Sequence, residues 1–339
     1  MAAAVTGSGE TILVVGASGF VGGHLLAALR VTQPAARIIA TGLGTLPVTG
    51  PIEWRSLDIS DAGAVGTLLV DVRPTSLIHL AALATFASSA QDPDLAWKVN
   101  VFGTRYLAEA VMRIVPQCRF LYVSSSEVYG HSCNRYEWVD EHVALDPGNI
   151  YAVTKASADL AIGEMARRGL NAIRVRPFNH TGPGQTEALF VPAVAAQIAR
   201  AELGLAEPII KVGNLETERD FLDVRDVISA YVLLLQNWHR MESGAIFNLA
   251  SGDVWQMRHI LNALLGMSRI ALRVEHDPAR MRPSEVPRMA GNALHLRRTL
   301  SWEPQFTMTA TLRSVLEDWR AKLAGEAVSS PLMARSGPA

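Results

Sequence analysis

The sequence is poor in the features that mark a secreted, fibrous or membrane chain. Cys118 and Cys133 are the only two cysteines among 339 residues. They form no CxxC pair and no disulfide framework, which excludes a stapled scaffold and points to a reducing compartment, the cytoplasm. No apolar run reaches the roughly 18 residues a membrane span needs. Residues 1–10 show no basic stretch followed by an apolar core, so no secretory leader is expected. Charge is scarce as well: charged residues make up 19%, and 31 Lys and Arg nearly cancel 32 Asp and Glu. Without a basic field or an acidic block, nucleic acid is not an expected partner. The nine histidines show no ligand spacing, and His131 with Cys133 lacks a second pair to complete a tetrahedral site, so no metal is expected. There is no repeat of 20 to 50 residues; only 1–9 and 325–339, rich in Ala, Gly, Ser and Pro, read as loose ends.

What is present is apolar mass. Hydrophobic residues make up 49%, enough for a large interior in one domain or two closely joined ones. The partner is expected to be a small molecule. Near the start, Thr11–Val15 is a short apolar run, followed by Gly16, Ala17, Ser18, Gly19, Phe20, Val21 and Gly22 and a helix-like stretch from Gly23 to Val31. In a dinucleotide site the first glycine makes the tight turn and the second lets the backbone approach a pyrophosphate. The third lets helix and strand pack closely, and the helix N-terminus faces the negative charge. Further strands are predicted at 37–41, 77–81 and 119–123, with helix-like stretches at 61–72 and 92–114 between them. This alternation predicts a parallel, doubly wound α/β sheet of Rossmann type. The acidic residue expected about 20 positions past the glycines, for a ribose 2′-hydroxyl, is missing, since the second strand runs into Thr41-Gly42-Leu43. NAD is therefore disfavoured and NADP favoured, although no arginine stands beside Gly42. Asp58 and Ile59 read either as adenine contacts or as a strand end with a helix cap.

Ser124, Ser125 and Ser126 end the next strand, at the edge where an open parallel sheet offers its ligand crevice. About 25 residues on come Tyr151 and Lys155. On a helix, that spacing of four puts phenol and ammonium on one face, a turn apart. A cation beside a phenol favours the phenolate, so the pair predicts a tyrosine that exchanges its proton near neutral pH.

With Gly16/Gly19/Gly22, His79-Leu80-Ala81-Ala82, Asn100 before Gly103-Thr104, Ser125, Tyr151 and Lys155, residues 11–322 resemble the extended short-chain dehydrogenase/reductase superfamily of sugar-nucleotide enzymes. The resemblance selects Ser125, four residues before Tyr129, among the three serines. It implies Tyr151 as proton donor and Lys155 as the holder of the nicotinamide ribose. It also implies cofactor contacts from Gly16, Ser18, Gly19, Phe20, Val21, Gly22, Leu80, Ala81, Ala82, Asn100 and Phe178, and from Tyr151 as well as Lys155.

Three stretches of the second half, Arg176 to Gln185, Val212 to Asp226 and Arg282 to Val286, resemble the GDP-4-keto-6-deoxy-D-mannose reductases and the related GDP-mannose 4,6-dehydratases. That resemblance implies substrate contacts from Ser126, Glu127, Asn179, Lys211, Arg219, Arg282 and Glu285. Arg219 and Arg282 offer forked, charge-assisted bonds to a diphosphate, and Glu285 can accept from guanine. The implied reaction is reduction of the C4 ketone of GDP-4-keto-6-deoxy-D-mannose by NADPH or NADH to GDP-D-rhamnose. The alternatives are a dehydratase with Glu127 as base, a 4-epimerase retaining NAD, and a non-catalytic NADP-binding redox sensor. The expected organisation is a cofactor domain over 10–180 and a smaller α/β substrate domain over 181–322, interleaved through later returns to the sheet. A homodimer through the Tyr151 helix and the one near 103–114 is implied too.

Overall fold

The computed structural model describes residues 9–44, 50–84, 86–281 and 286–329. Thirteen strands occur among them: β1 (Thr11–Val15), β2 (Arg37–Gly42), β3 (Glu53–Ser56), β4 (Ser76–His79), β5 (Arg119–Val123), β6 (Ala172–Pro177), β7 (Asn179–Thr181), β8 (Ile209–Val212), β9 (Glu218–Asp223), β10 (Ile246–Leu249), β11 (Val254–Gln256), β12 (Arg273–His276) and β13 (Arg288–Met289). Seven of them form one sheet in the order β10-β6-β5-β4-β1-β2-β3, with every pairing parallel.

Strands buried on both faces explain why these segments read as nearly unbroken apolar runs. Along β1, Ile12 and Val14 enter one core with Leu25, Leu29 and Tyr231 from helices Phe20–Thr32 and Val224–Gln236. Leu13 and Val15 enter the opposite core with Leu69, Val111 and Ile162, from helices Ala62–Val72, Thr104–Ile114 and Ile150–Arg167. Each such fully buried side chain contributes about 1.5–3 kcal/mol. The arrangement is a doubly wound Rossmann sheet, and its strand order reverses between β1 and β4. A ligand crevice opens there, beyond the carboxyl ends of the strands.

Later segments come back to this sheet: β10 adds beside β6, Asn248 facing Arg176 in register. A second, smaller sheet runs β11-β9-β13, with β7 also on β9, and β8 pairs separately with β12. A third apolar core lies beneath these, built from helices Phe190–Glu202, Met257–Leu265 and Met308–Ser329. The last helix takes in residues 325–329 of the tail expected to be loose, a continuation that suits the helix formers Leu323, Ala324, Glu326 and Ala327.

The 92–114 stretch is not one regular helix. A turn at Pro93–Ala96 leads into a π-helix at Trp97–Gly103, and only then into Thr104–Ile114. Two side-chain demands account for the wider turn. Gly103 lies on Ile59 so closely that a Cβ would sit 2.8 Å from its Cγ1, and Asn100 turns inward to bind main chain outside the helix. Among the described residues, no helix is long and apolar enough to cross a membrane, and no cluster of three or more His, Cys, Asp or Glu is placed to hold a metal.

Candidate active site

The glycine turn sits at the end of β1. Gly16 has φ +86°, and the amides of Gly16 and Ala17 both donate to the Thr41 carbonyl, at 2.9 and 2.7 Å. A Cβ on Gly16 would lie 2.4 Å from the Ala81 nitrogen, and one on Gly22 would lie 2.4 Å from the Ala17 oxygen. Both glycines are thus required by close backbone packing. Gly19 is different: the nearest atom to a Cβ there is 3.6 Å away, and as N-cap of helix Phe20–Thr32 it contributes no side-chain cap. The helix end is left for an anion, which suits a pyrophosphate. Ser18, exposed, flanks the end of β2, where a Cβ on Gly42 would meet its Oγ at 2.5 Å. Phe20 stacks on His180 at 6.4 Å between centroids, while the flanking His24 donates to the Pro183 carbonyl at 2.8 Å. Helix Phe20–Thr32, on which Val21 also lies half-buried, is thereby fastened to the 181–185 loop.

Asp58 closes a turn onto Ser60, accepting from its amide and hydroxyl at 2.9 and 2.7 Å. These bonds hold its carboxyl below the usual range. The cap of the following helix is Asp61, not Asp58, and Ile59 is buried beneath the π-helix. Leu80, Ala81 and Ala82 follow β4, with the Leu80 amide on the Val15 carbonyl at 2.8 Å. Asn100 is spent inside the protein: its Oδ1 accepts from the Leu83 amide at 2.7 Å and its Nδ2 donates to Thr154 at 3.0 Å. It therefore joins the Leu80–Leu83 segment to the Tyr151 helix. Phe178 is likewise internal, with its ring stacked against Tyr129 and its amide and carbonyl taken by Leu249 and His180.

Ser125, Tyr151 and Lys155 converge. Asn149 caps helix Ile150–Arg167 through the Ala152 amide, which sets Tyr151 on the first turn and Lys155 one turn along. Ser125 caps the 3₁₀ segment Ser126–Asn134, accepting from the Glu127 amide at 3.2 Å, and shares a hydrogen bond with the Tyr151 side chain. The Lys155 ammonium donates to the Val123 carbonyl at 2.6 Å and lies 4.6 Å from the Tyr122 ring centre.

The electrostatics correct the sequence expectation. Burial pushes Tyr151 up to about 12, with Glu127 adding to the rise and the Ser125 bond opposing it. Lys155 does not bring the phenol toward neutrality. Its own charge is buried against Val123 and Tyr122, and that burial drives it down to about 7, opposed by Asp159. At neutral pH Tyr151 is a protonated donor.

From the other half of the molecule, β9 brings Arg219 toward this point. Its Nη1 donates to the Glu218 and Pro287 carbonyls at 2.8 and 3.3 Å, while Glu127 stabilises the charge that burial disfavours. Asn179 is half-buried on β7, opposite Phe221 of β9, and Ser126 is buried beside Ser125. A cavity of about 520 Å³, lined by Cys133, Tyr136, Glu137, Pro287 and Arg288 among others, opens next to the Arg219 contacts. Lys211 is exposed on β8, in register with Glu275 of β12. Arg282 and Glu285 lie outside the described residues.

Sequence reasoning missed a set of buried charges behind Lys155. Arg174 and Arg176 of β6 both bind Asp159, with contacts of 3.0 and 2.9 Å to its Oδ1. The only sequence cue was an acidic residue four positions after Lys155.

Similarity to known proteins extends along nearly the whole chain. A family model described as GDP-mannose 4,6 dehydratase matches residues 13–315. The GDP-6-deoxy-D-mannose reductase of Pseudomonas aeruginosa is 34% identical over 318 residues, covering 94% of this chain and 99% of its own length. The GDP-6-deoxy-D-talose 4-dehydrogenase of Aggregatibacter actinomycetemcomitans is 26% identical over 309 residues, covering 91% of this chain and 96% of its own. The solved structure of RMD from Pseudomonas aeruginosa complexed with NADPH matches with a TM-score of 0.78 and 31% identity, covering 92% of this chain and 99% of that one.

Proposed function

The chain belongs to the GDP-mannose 4,6-dehydratase family, and within it we propose a reductase that uses NADPH, or NADH, to convert the C4 ketone of GDP-4-keto-6-deoxy-D-mannose to the alcohol of GDP-D-rhamnose. The observation that carries this reading is the convergence of Ser125 and Tyr151, with Lys155 one helical turn along and seated on the Val123 carbonyl at the end of β5. Reduction of a ketone needs a proton donor for the developing alkoxide, and a phenol pushed up to about 12 keeps its proton until it is asked for.

The crevice fits a dinucleotide. The Gly16–Gly22 turn would hold the pyrophosphate against the helix N-terminus, and Lys155 would hold the nicotinamide ribose. When bound, NADPH supplies the hydride. Ser125 donates to the ketone oxygen and Tyr151 protonates it, so that charge developing on that oxygen meets a fixed donor pair. Arg219 and Asn179 grip the diphosphate. By resemblance to the reductases, Arg282 is assigned to the diphosphate as well and Glu285 to the guanine base.

Glu127 favours a second reading. Its charge acts on both Tyr151 and Arg219, which puts a carboxylate within the field of the reacting position, where a dehydratase needs its base. An assay without added reduced cofactor separates the two. With GDP-mannose alone the reductase leaves the sugar unchanged, and with the 4-keto sugar plus NADPH it consumes both. Conversion of GDP-mannose to the keto sugar assigns Glu127 to elimination instead.

We also propose a homodimer through helices Thr104–Ile114 and Ile150–Arg167. Leu160 on the second helix is 60% exposed, and Phe102, just before the first, is 42% exposed, with the Arg105 guanidinium over the Phe102 and Tyr106 rings. Sedimentation velocity is expected to give twice the chain mass for the native protein and the single-chain mass for Leu160→Glu; a native monomer removes the dimer.

A further inference from the structure

One face of helix Ile150–Arg167 carries four residues at a spacing of four: Tyr151, Lys155, Asp159 and Gly163. The first two belong to the proposed chemistry, and the last two have no part in it so far. Asp159 is completely buried, and both of its oxygens are used. Arg174 Nη1 and Arg176 Nη2 donate to Oδ1 at 3.0 and 2.9 Å, and Arg176 Nε donates to Oδ2 at 3.0 Å. A glycine within a helix costs stability, and Gly163 has a local reason: a Cβ there would sit 2.5 Å from Arg174 Nη1. Arg176 is braced further by the Tyr129 hydroxyl at 3.0 Å, which itself donates to Asn248 at 2.7 Å. The carboxylate is therefore held in place from β6 and cannot turn away.

One turn back on the same helix is Lys155, whose ammonium lies within the field of this carboxylate. From β5, the Tyr122 ring and the Val123 carbonyl cover the ammonium. From β4, the neutral imidazole of His79 lies within its field, Nε2 bonded to Thr104 at 2.8 Å. From its own helix come Tyr151 and Asp159. Among the described groups that face it, Asp159 is the one anion. Two guanidiniums and one carboxylate leave this cluster with one net positive charge before Lys155 adds its own. The ammonium is the easiest of these charges to give up, because its donors are not forked onto a partner.

We propose that Asp159, clamped between Arg174 and Arg176, is a positioning residue for Lys155: its fixed negative charge keeps the amine protonated and seated for the nicotinamide ribose. The proposal rests on the cofactor role read above for Lys155. Burial brings Lys155 down to about 7 and Asp159 opposes that fall. The ammonium is present below that midpoint and lost above it, so affinity for NADPH is greatest at low pH and declines as pH rises through the midpoint.

The test is the pH dependence of NADPH binding, followed by nicotinamide fluorescence in the native protein, Asp159→Asn and Arg174→Gln, with folding checked by circular dichroism. Titration of the ligand itself is common to all three and cancels in the comparison. Removing the carboxylate should move the affinity midpoint down by about one pH unit or more, and removing Arg174, which partly neutralises that carboxylate, should move it up. Both variants break the same ion pair, so a purely structural role predicts loss of stability in both with no opposed movement. Stranding two buried guanidiniums is strongly destabilising. If Asp159→Asn does not fold, Arg174→Gln decides alone: an upward midpoint supports the proposal and an unmoved one overturns it. Native protein that binds NADPH, either with no dependence on pH or with a midpoint that neither variant moves, overturns the Asp159 role and leaves the reductase reading standing. Native protein that binds no NADPH overturns both.

Discussion

Tyr151→Phe should lose at least about 10²-fold in kcat for reduction of the keto sugar, the lower end of what a positioned acid contributes. The substitution removes one oxygen and its hydrogen bond with Ser125, and leaves the ring and the helix cap at Asn149 as they are. Stability should change by about 1 kcal/mol, and the affinity for NADPH should stay within a few-fold of native, because Lys155 and the glycine turn are untouched. A fall in kcat with KM little changed identifies an interaction made in the transition state alone. Steady-state oxidation of NADPH, with a thermal melt alongside, checks it. A native rate in a folded Tyr151→Phe protein would remove the phenol from the mechanism and leave Ser125 as the proton source.

The glycine turn carries the second large effect, and its three glycines are expected to behave differently. At Gly16 an alanine meets both an unfavourable φ of +86° and backbone at 2.4 Å. The left-handed conformation costs about 1–2 kcal/mol, and forcing apart β1 and the segment after β4 costs about 1–3 kcal/mol more. Gly16→Ala should therefore lower the melting temperature and abolish NADPH binding together. At Gly19 a methyl group meets nothing nearer than 3.6 Å, so Gly19→Ala should keep native stability while weakening NADPH by about tenfold or more, the loss expected when about 1.4 kcal/mol of phosphate contact is blocked. Thermal melts and NADPH titrations of both variants separate fold from site. If Gly19→Ala binds NADPH as the native protein does, the pyrophosphate does not lie over that turn.

Much of this was legible in the sequence because it is written in short-range spacing. The run from Thr11 to Gly22 specified strand, turn and helix, since only glycine tolerates the positive φ and the backbone contact with Ala81. The spacing of four between Tyr151 and Lys155 placed both on one helix face. What could not be read depends on distance through space. Asp159 joins two arginines that are 15 and 17 positions away and on another element, and nothing in local pattern distinguishes it from a solvated helix carboxylate. The sign of the Tyr151 shift was misjudged for the same reason. Spacing shows that a cation is near, while burial, which dominates here, depends on everything packed around the phenol. The π-turn at Trp97–Gly103 was hidden because it answers to Ile59, Leu83 and Thr154, each from a different part of the chain. The second half gave its motifs plainly, but only the fold brings Arg219 of β9 within the field of Glu127, which also acts on Tyr151.

Everything above depends on hydride reaching C4 of a GDP-linked keto sugar in this crevice. Incubation of the native protein with GDP-4-keto-6-deoxy-D-mannose and NADPH carrying two deuterium atoms at the nicotinamide C4, followed by NMR of the isolated sugar nucleotide, tests it directly. We predict one product, GDP-D-rhamnose, with deuterium at its C4. A sugar that returns unlabelled, or labelled at another carbon, contradicts the account.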